Sequence, residues 1–154
     1  MNLEDLMEKT VSVKDYITNM EDPFKARFLK RMKTYVLKEE VVEKLKAHAD
    51  RIFVLVFSAK WCPDCSNNVP ILALLSEKVG LKVRVFGGIM KDPLNPKEKW
   101  KIPPSPPEVK EFKVERIPHI VIFKTNGQEL GKIIENPNPN NTLEEEILQL
   151  VKND

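Results

Sequence analysis

The fold of this chain is decided by one stretch of sequence, residues 52–65, which reads IFVLVFSAKWCPDC. Its first six residues are continuously apolar and rich in strand-favouring side chains, which predicts a strand buried on both faces at the centre of a sheet. A helix is predicted over residues 63–79, beginning at the cysteine pair, with Pro70 in its interior. Alternating polar and apolar residues at 82–86 predict a second strand, parallel to the first. A β-α-β unit therefore surrounds the cysteines.

Cys62 and Cys65 are the only two cysteines of the chain, and both lie in the turn between that strand and that helix. A structural disulfide stabilises mainly by closing a long loop, and a ring of four residues removes little entropy from the unfolded chain. Structural zinc takes four ligands, and the remaining candidates, His48 and His119, lack a finger-like spacing. We therefore predict a redox pair and no metal site, since a thiol at a helix N-terminus is made more acidic.

Length and charge restrict the kind of protein further. The chain has 154 residues, enough for one domain with a sizeable core, and 25 basic against 23 acidic residues give a net charge of +2. No global field attracts nucleic acid or a membrane, and the acidic N-terminus does not read as a secretion signal. We expect a monomeric cytoplasmic protein without nucleic-acid or membrane partners, because a single vicinal cysteine pair suits a reducing compartment.

The flanking segments read mainly as helices at the start and as a hairpin and helix at the end. Apolar spacing predicts short helices before residue 20, and residues 23–49 read as one long helix or two abutting helices. A third strand over residues 117–124 and a fourth over 129–135 are joined by turn residues, which predicts antiparallel pairing. Thr142 with Glu145 forms a capping box that opens a last helix.

Two parts of the chain are predicted from this pattern. Residues 1–50 form a helical extension packed on the core, and residues 51–154 form the core domain. Within the core, residues 92–107 hold six of the twelve prolines, which leaves little regular structure possible. We expect an ordered or semi-rigid Pro-rich insertion that leaves from a strand's carboxyl end and borders the cysteine pair, where it would narrow substrate choice.

The order of elements together with the cysteine motif resembles the thioredoxin family over residues 52–152. Trp61 directly precedes Cys62, Pro70 lies where the family's active-site helix is kinked, and Ile117-Pro118 opens the third strand where thioredoxins carry a cis-proline. The resemblance implies an α/β thioredoxin fold, with a central mixed four-stranded sheet flanked by helices and with extra N-terminal helices in place of the first strand. It also implies a thiol-disulfide oxidoreductase without any cofactor beyond the Cys62-Cys65 disulfide.

The resemblance also implies a role for each motif residue. Cys62 would be the attacking thiolate and Cys65 the resolving thiol, with Trp61 beside them. Ile117 and Pro118 would bind an extended substrate segment through the backbone. The implied substrate is a disulfide in a protein or a small molecule, and an external reductase or thiol would regenerate the dithiol.

The chain departs from the family at the buried proton acceptor. Thioredoxins usually bury an aspartate beneath the cysteines, and the corresponding position here is Val56. Deprotonation of Cys65 must then use water, Asp64 or another nearby group. His119 follows the proline, and we interpret it as a packed strand residue rather than a proton relay.

The residues between the cysteines also differ from those of ordinary thioredoxins. Pro63-Asp64 replaces Gly-Pro, and the Asp64 carboxylate should raise the pKa of the Cys62 thiol. Lys60 would offset this effect.

Two other functions remain open from the sequence alone. The chain could be a thioredoxin-like module that binds a partner with little turnover, using the N-terminal helices and the insertion as its surface. It could also be a disulfide oxidase or isomerase, because the direction of exchange depends on the reduction potential relative to the compartment.

Overall fold

The computed structural model describes residues 2–152, which fold into one mixed sheet with helices packed on it. The described strands are β1 (Val11–Ser12), β2 (Ile52–Phe57), β3 (Lys82–Phe86), β4 (His119–Lys124) and β5 (Glu129–Ile134), in the spatial order β1-β3-β2-β4-β5. The described α-helices are α1 (Leu3–Lys9), α2 (Val13–Thr18), α3 (Phe24–Thr34), α4 (Glu39–Lys46), α5 (Pro63–Val79), α6 (Glu108–Glu111) and α7 (Leu143–Lys152).

The β-α-β unit around the cysteines is confirmed with the predicted bounds. All six residues of β2 are buried, as expected for a strand that runs parallel to β3 on one side and antiparallel to β4 on the other. Helix α5 crosses between β2 and β3 with Pro70 in its interior. It ends at Gly80, whose φ of 79° lies in the left-handed region that glycine adopts without a Cβ penalty.

The thioredoxin fold class is confirmed, but the sheet has one strand more than the four expected. Strand β1 pairs antiparallel with β3 through Val11 with Val85 and Ser12 with Arg84. The expectation of helices in place of the first strand is corrected by this pairing. A strand of two residues has no periodicity to detect, because it is defined only by its partner far along the chain.

The N-terminal helices pack on the active-site helix, since α2, α3 and α4 all contact α5. The predicted helical stretch after residue 23 consists of two helices, α3 and α4. The break between them is held by Glu144 of α7, a fully buried residue whose carboxylate accepts hydrogen bonds from the Tyr35 hydroxyl at 2.7 Å and the Lys38 backbone N–H at 3.0 Å. These hydrogen bonds attach the connection between α3 and α4 to the C-terminal helix.

The predicted hairpin and the predicted cap of the last helix are both present at the C-terminal side of the sheet. Strands β4 and β5 pair antiparallel. The Thr142 hydroxyl accepts from the Glu145 backbone N–H at 3.1 Å, and the Glu145 carboxylate accepts from the Thr142 backbone N–H at 2.8 Å. This is the reciprocal capping box, and it confirms the start of α7.

The Pro-rich insertion over residues 92–107 is an ordered loop. Its Trp100 is buried and donates from Nε1 to the Val114 carbonyl at 2.6 Å. Its Ser105 is also buried, and the Ser105 hydroxyl accepts from the Met90 backbone N–H at 2.8 Å. The second half of the loop is therefore attached to the core.

Between residues 2 and 152, the helices are too short or too polar to cross a bilayer.

Candidate redox site

The two cysteines lie at the N-terminus of α5. Cys62 is the N-cap residue, and its sulfur accepts a hydrogen bond of 3.2 Å from the backbone N–H of Cys65. Pro63 is the first helical residue and has no N–H that would need an acceptor. Both thiols are free; Cys62 is 6% exposed and Cys65 is fully buried one turn inside. Their positions alone make the two sulfurs different.

The electrostatics separate the two thiols strongly. A hydrogen bond from the Cys65 thiol lowers the pKa of Cys62 to about 7, helped by the backbone N–H groups of Cys65 and Asp64 and opposed by burial and by the Asp64 carboxylate. Burial raises the pKa of Cys65 far above its usual range, and the neighbouring Cys62 raises it further. Near neutral pH a large fraction of Cys62 is therefore ionised, while Cys65 stays protonated.

The loop before β4 faces these sulfurs. The Ile117-Pro118 peptide bond is cis, as the resemblance implied, and Cys62 Sγ lies 3.6 Å from the Ile117 carbonyl oxygen. Both loop residues are buried, and the Pro118 carbonyl accepts from the backbone N–H of Glu135. The structure thus brings Ile117 and Pro118 next to Cys62.

A surface groove of about 600 Å³ borders the motif. Trp61 lines this groove and donates from Nε1 to the Ile89 carbonyl at 3.1 Å, with the Lys91 ammonium 5.5 Å from its ring centroid. Pro104 of the insertion lines the same groove. The insertion therefore approaches the tryptophan that precedes Cys62.

Two of the sequence-predicted supporting residues point elsewhere. The Lys60 ammonium pairs with the Glu21 carboxylate and lies 5.2 Å from the ring centroid of Phe24, so its charge is engaged by Glu21. The Asp64 carboxylate accepts a hydrogen bond from the Asn136 side chain at 3.2 Å. The Asp64 carboxylate raises the pKa of Cys62, as expected. Lys60 was expected to lower this pKa in turn, but it is not among the groups that shift the pKa of Cys62.

The polar surroundings of Cys65 include residues that the sequence did not single out as part of the site. Val56 is fully buried, and the polar groups that lower the pKa of Cys65 are the Ala59 backbone and the Ser58 hydroxyl. The Ser58 hydroxyl in turn shares a hydrogen bond with the Tyr16 hydroxyl at 2.9 Å. The available signal was weak: Ser58 is the first polar residue after the apolar strand, and nothing in the sequence places Tyr16 beside it.

His119 lies next to the proline as a packed strand residue. It is 3% exposed and meets the ring of Phe57 edge-on, with centroids 5.7 Å apart. Burial lowers the pKa of His119 to about 4, and among the described residues its Nε2 has no hydrogen-bond partner. This environment matches the packed interpretation.

Within the described part of the chain, no three histidine, cysteine, aspartate or glutamate side chains are grouped so as to hold a metal ion.

A dithiol at a helix N-terminus, opposite a cis-proline loop in a mixed sheet, defines the thioredoxin-like class of proteins. A family model described as thioredoxin matches residues 10–103, and the chain belongs to the thioredoxin family. That match begins within the N-terminal helices rather than at residue 52, where the sequence resemblance began. Membership of this family is compatible with thiol-disulfide chemistry.

Solved structures with low sequence identity share the fold. A protein of unknown function from Pseudomonas aeruginosa is 14% identical, with a TM-score of 0.73 over 99% of this chain and 98% of that one. An HIV epitope-scaffold is 12% identical, with a TM-score of 0.75 over 100% of this chain and 99% of that one. At such identities the likeness shows the fold alone. Among curated protein sequences no match is found.

Proposed function

We propose that this protein is a thiol-disulfide oxidoreductase that reduces disulfides with the Cys62-Cys65 dithiol. The observation that carries the proposal is the difference between the two sulfurs. The pKa of Cys62 is lowered to about 7 at the helix end, whereas Cys65 is fully buried and its pKa is raised. A nucleophile that is ionised near neutral pH and a protected second thiol are what a two-step exchange requires.

The reaction has two displacements. The Cys62 thiolate attacks one sulfur of the substrate disulfide, that S–S bond breaks, and the first substrate thiolate leaves and takes a proton from water. Cys65 then loses its proton and attacks Cys62 Sγ, which breaks the mixed disulfide and releases the second substrate thiolate, also protonated by water. Two electrons pass from the dithiol to the substrate, and the Cys62-Cys65 disulfide remains. An external reductase or thiol returns it to the dithiol.

The proposed substrate is a disulfide in a protein or a small molecule, met in a reducing cytoplasm. The Ile117 backbone next to Cys62 suits an extended segment lying across the cis-proline loop. Because Pro104 of the insertion lines the same groove as Trp61, the insertion can restrict which substrates reach the site.

The direction of exchange is tested by equilibrating the protein with glutathione buffers. A dithiol more reducing than glutathione supports a reductase, and a more oxidising one supports an oxidase or isomerase.

The role assignment is tested with serine variants. Cys65→Ser should accumulate a covalent mixed disulfide at Cys62 when treated with a disulfide-bonded protein such as insulin, because nothing resolves it. Cys62→Ser should lose catalysed disulfide reduction. Mass spectrometry of the trapped adduct and turnover of insulin provide the two readouts.

Retained turnover in Cys62→Ser would contradict the assignment. A wild-type protein with a Cys62 pKa at the ordinary thiol value and no turnover would instead favour a partner-binding module.

A further inference from the structure

Cys65 must lose a proton during the second displacement, yet it is fully buried. A buried sulfur is costly to ionise without a hydrogen-bond donor or a proton acceptor beside it. The strand position beneath the cysteines holds Val56, which has no ionisable group and is itself fully buried. Asp64, the acceptor considered from the sequence, directs its carboxylate to Asn136. Another polar group must therefore serve Cys65.

Ser58 is in a position to do so. It follows β2 directly, is fully buried, and its backbone N–H donates to the Phe86 carbonyl at 3.0 Å, which fixes it between β2 and β3. Its hydroxyl is one of the polar groups that lower the pKa of Cys65, and it shares a hydrogen bond of 2.9 Å with the Tyr16 hydroxyl. A serine hydroxyl can accept one proton and donate another, so it can bridge the sulfur and the phenol.

Tyr16 is held in place by two contacts from different parts of the fold. Its ring meets Phe28 of α3 edge-on, with centroids 6.0 Å apart and an interplanar angle of 78°. A Cβ atom on Gly87 would lie 2.9 Å from the Tyr16 ring, so the ring can approach the strand end only because residue 87 is glycine. Tyr16 is half-buried and lines the groove beside Trp61. Its side chain thus connects the buried Ser58 hydroxyl with the groove.

We propose that Ser58 and Tyr16 form a hydroxyl relay that deprotonates Cys65 and stabilises its thiolate, in place of a buried carboxylate. This inference rests on the proposed function. During resolution the Cys65 proton passes to the Ser58 oxygen, the Ser58 proton passes to the Tyr16 oxygen, and the Tyr16 proton passes to water in the groove. The hydroxyls end as they began, one proton has left, and the Cys65 electron pair attacks Cys62 Sγ.

Burial raises the pKa of Tyr16 above its usual range, so the phenol stays protonated at neutral pH and releases a proton to water only as it takes one from Ser58. The relay also gives the N-terminal helices a part in the chemistry, because Tyr16 belongs to α2 and its ring neighbour Phe28 to α3. Ser58 and Tyr16 are positioning residues, since they act on the substrate only through Cys65.

The relay is tested by stopped-flow reaction of the reduced protein with dithiobisnitrobenzoate, a chromogenic disulfide. Attack by Cys62 releases the first coloured thiolate, and resolution by Cys65 releases the second, so one trace reports both steps. Tyr16→Phe keeps the ring and removes only the hydroxyl, and Ser58→Ala removes the bridge. Each should slow the second phase about tenfold and move its pH profile upward, with the first phase changed less than about twofold, because a hydrogen bond to an anion is lost.

A double variant and a matched control make the test specific. Tyr16→Phe should add little to Ser58→Ala, because the phenol acts only through the serine, whereas two independent packing defects would add. Tyr35→Phe removes another half-buried tyrosine hydroxyl, the one bonded to Glu144, and should leave both phases unchanged. If the wild-type protein shows both phases and the Tyr16 and Ser58 variants resolve at its rate and pH profile, the relay is wrong. If the wild-type protein releases no second thiolate, the proposed function itself fails.

Discussion

At the scale of single residues, the difference between the two cysteines depends on where each lies in the first turn of α5. Cys62 and Cys65 are the same residue type three positions apart, yet a hydrogen bond lowers the pKa of one and burial raises that of the other. The Cys62 sulfur faces the backbone N–H groups that a helix start leaves unpaired, and Cys65 is covered by the core. Residues 63 and 64 tune this difference, since Pro63 begins the helix and Asp64 opposes ionisation of Cys62.

The buried His119 predicts a dependence of stability on pH. Its pKa falls from 6.5 to about 4 in the folded protein, so between these values the unfolded chain binds more protons than the folded one. Folding stability should therefore decrease as the pH falls through this window, by about 2 kcal/mol near pH 5 relative to neutral pH. Urea unfolding at the two pH values measures the loss.

His119→Gln supplies the control, because glutamine does not titrate. The variant should lose about 2 kcal/mol less than the wild-type protein over the same pH interval, whatever its stability at neutral pH. Equal losses in the two proteins would show that His119 is protonated as readily folded as unfolded.

At the scale of secondary-structure elements, one side chain of β3 strengthens the attachment of the N-terminal segment that the pairing of β1 with β3 begins. Arg84 of β3 donates from Nη2 to the carbonyls of Met7 and Thr10 at 3.0 and 2.6 Å, and from Nε to the Thr10 hydroxyl at 3.0 Å. These acceptors lie at the end of α1, where unpaired carbonyls favour a cation. Arg84 therefore fixes the chain that leads through β1 into α2, which carries Tyr16.

Replacing Arg84 should loosen this connection. We expect Arg84→Met to lower the free energy of unfolding by about 2 kcal/mol, because three charge-assisted hydrogen bonds are lost while the aliphatic stem is kept. Chemical denaturation gives the value. Lys82→Met is the matched control, since Lys82 is exposed on the same strand, and should change stability by less than about 0.5 kcal/mol. Similar losses in both variants would contradict the role of Arg84.

At the scale of the whole molecule, the parts that could be predicted are those with a local pattern. The bounds of β2, α5 and β3 follow from apolar runs and from the motif, and the capping box of α7 follows from Thr142 and Glu145. Strand β1 could not be predicted, because two residues carry no periodicity. The contact between Tyr16 and Ser58 could not either, since it exists only once α2 packs beside the end of β2.

The same distinction applies to the candidate site. The sequence alone predicts the cysteine pair, the cis-proline and the absence of a buried acid, because each depends on a residue type at a fixed position in a known motif. The partners of Lys60 and Asp64 could not be predicted from the sequence, because Glu21 and Asn136 come from distant parts of the chain. Long-range side-chain pairing requires the tertiary fold.

The account as a whole depends on Cys62 being ionised near neutral pH while Cys65 stays protonated. Brief iodoacetamide labelling of the reduced protein at a series of pH values, with fragment-ion mass spectrometry to separate the two cysteines, measures this directly. Cys62 should reach half of its maximal labelling rate near pH 7, and Cys65 should remain unlabelled over the range in which Cys62 reacts. Labelling of both cysteines together, at the pH of an ordinary thiol, would contradict the central claim.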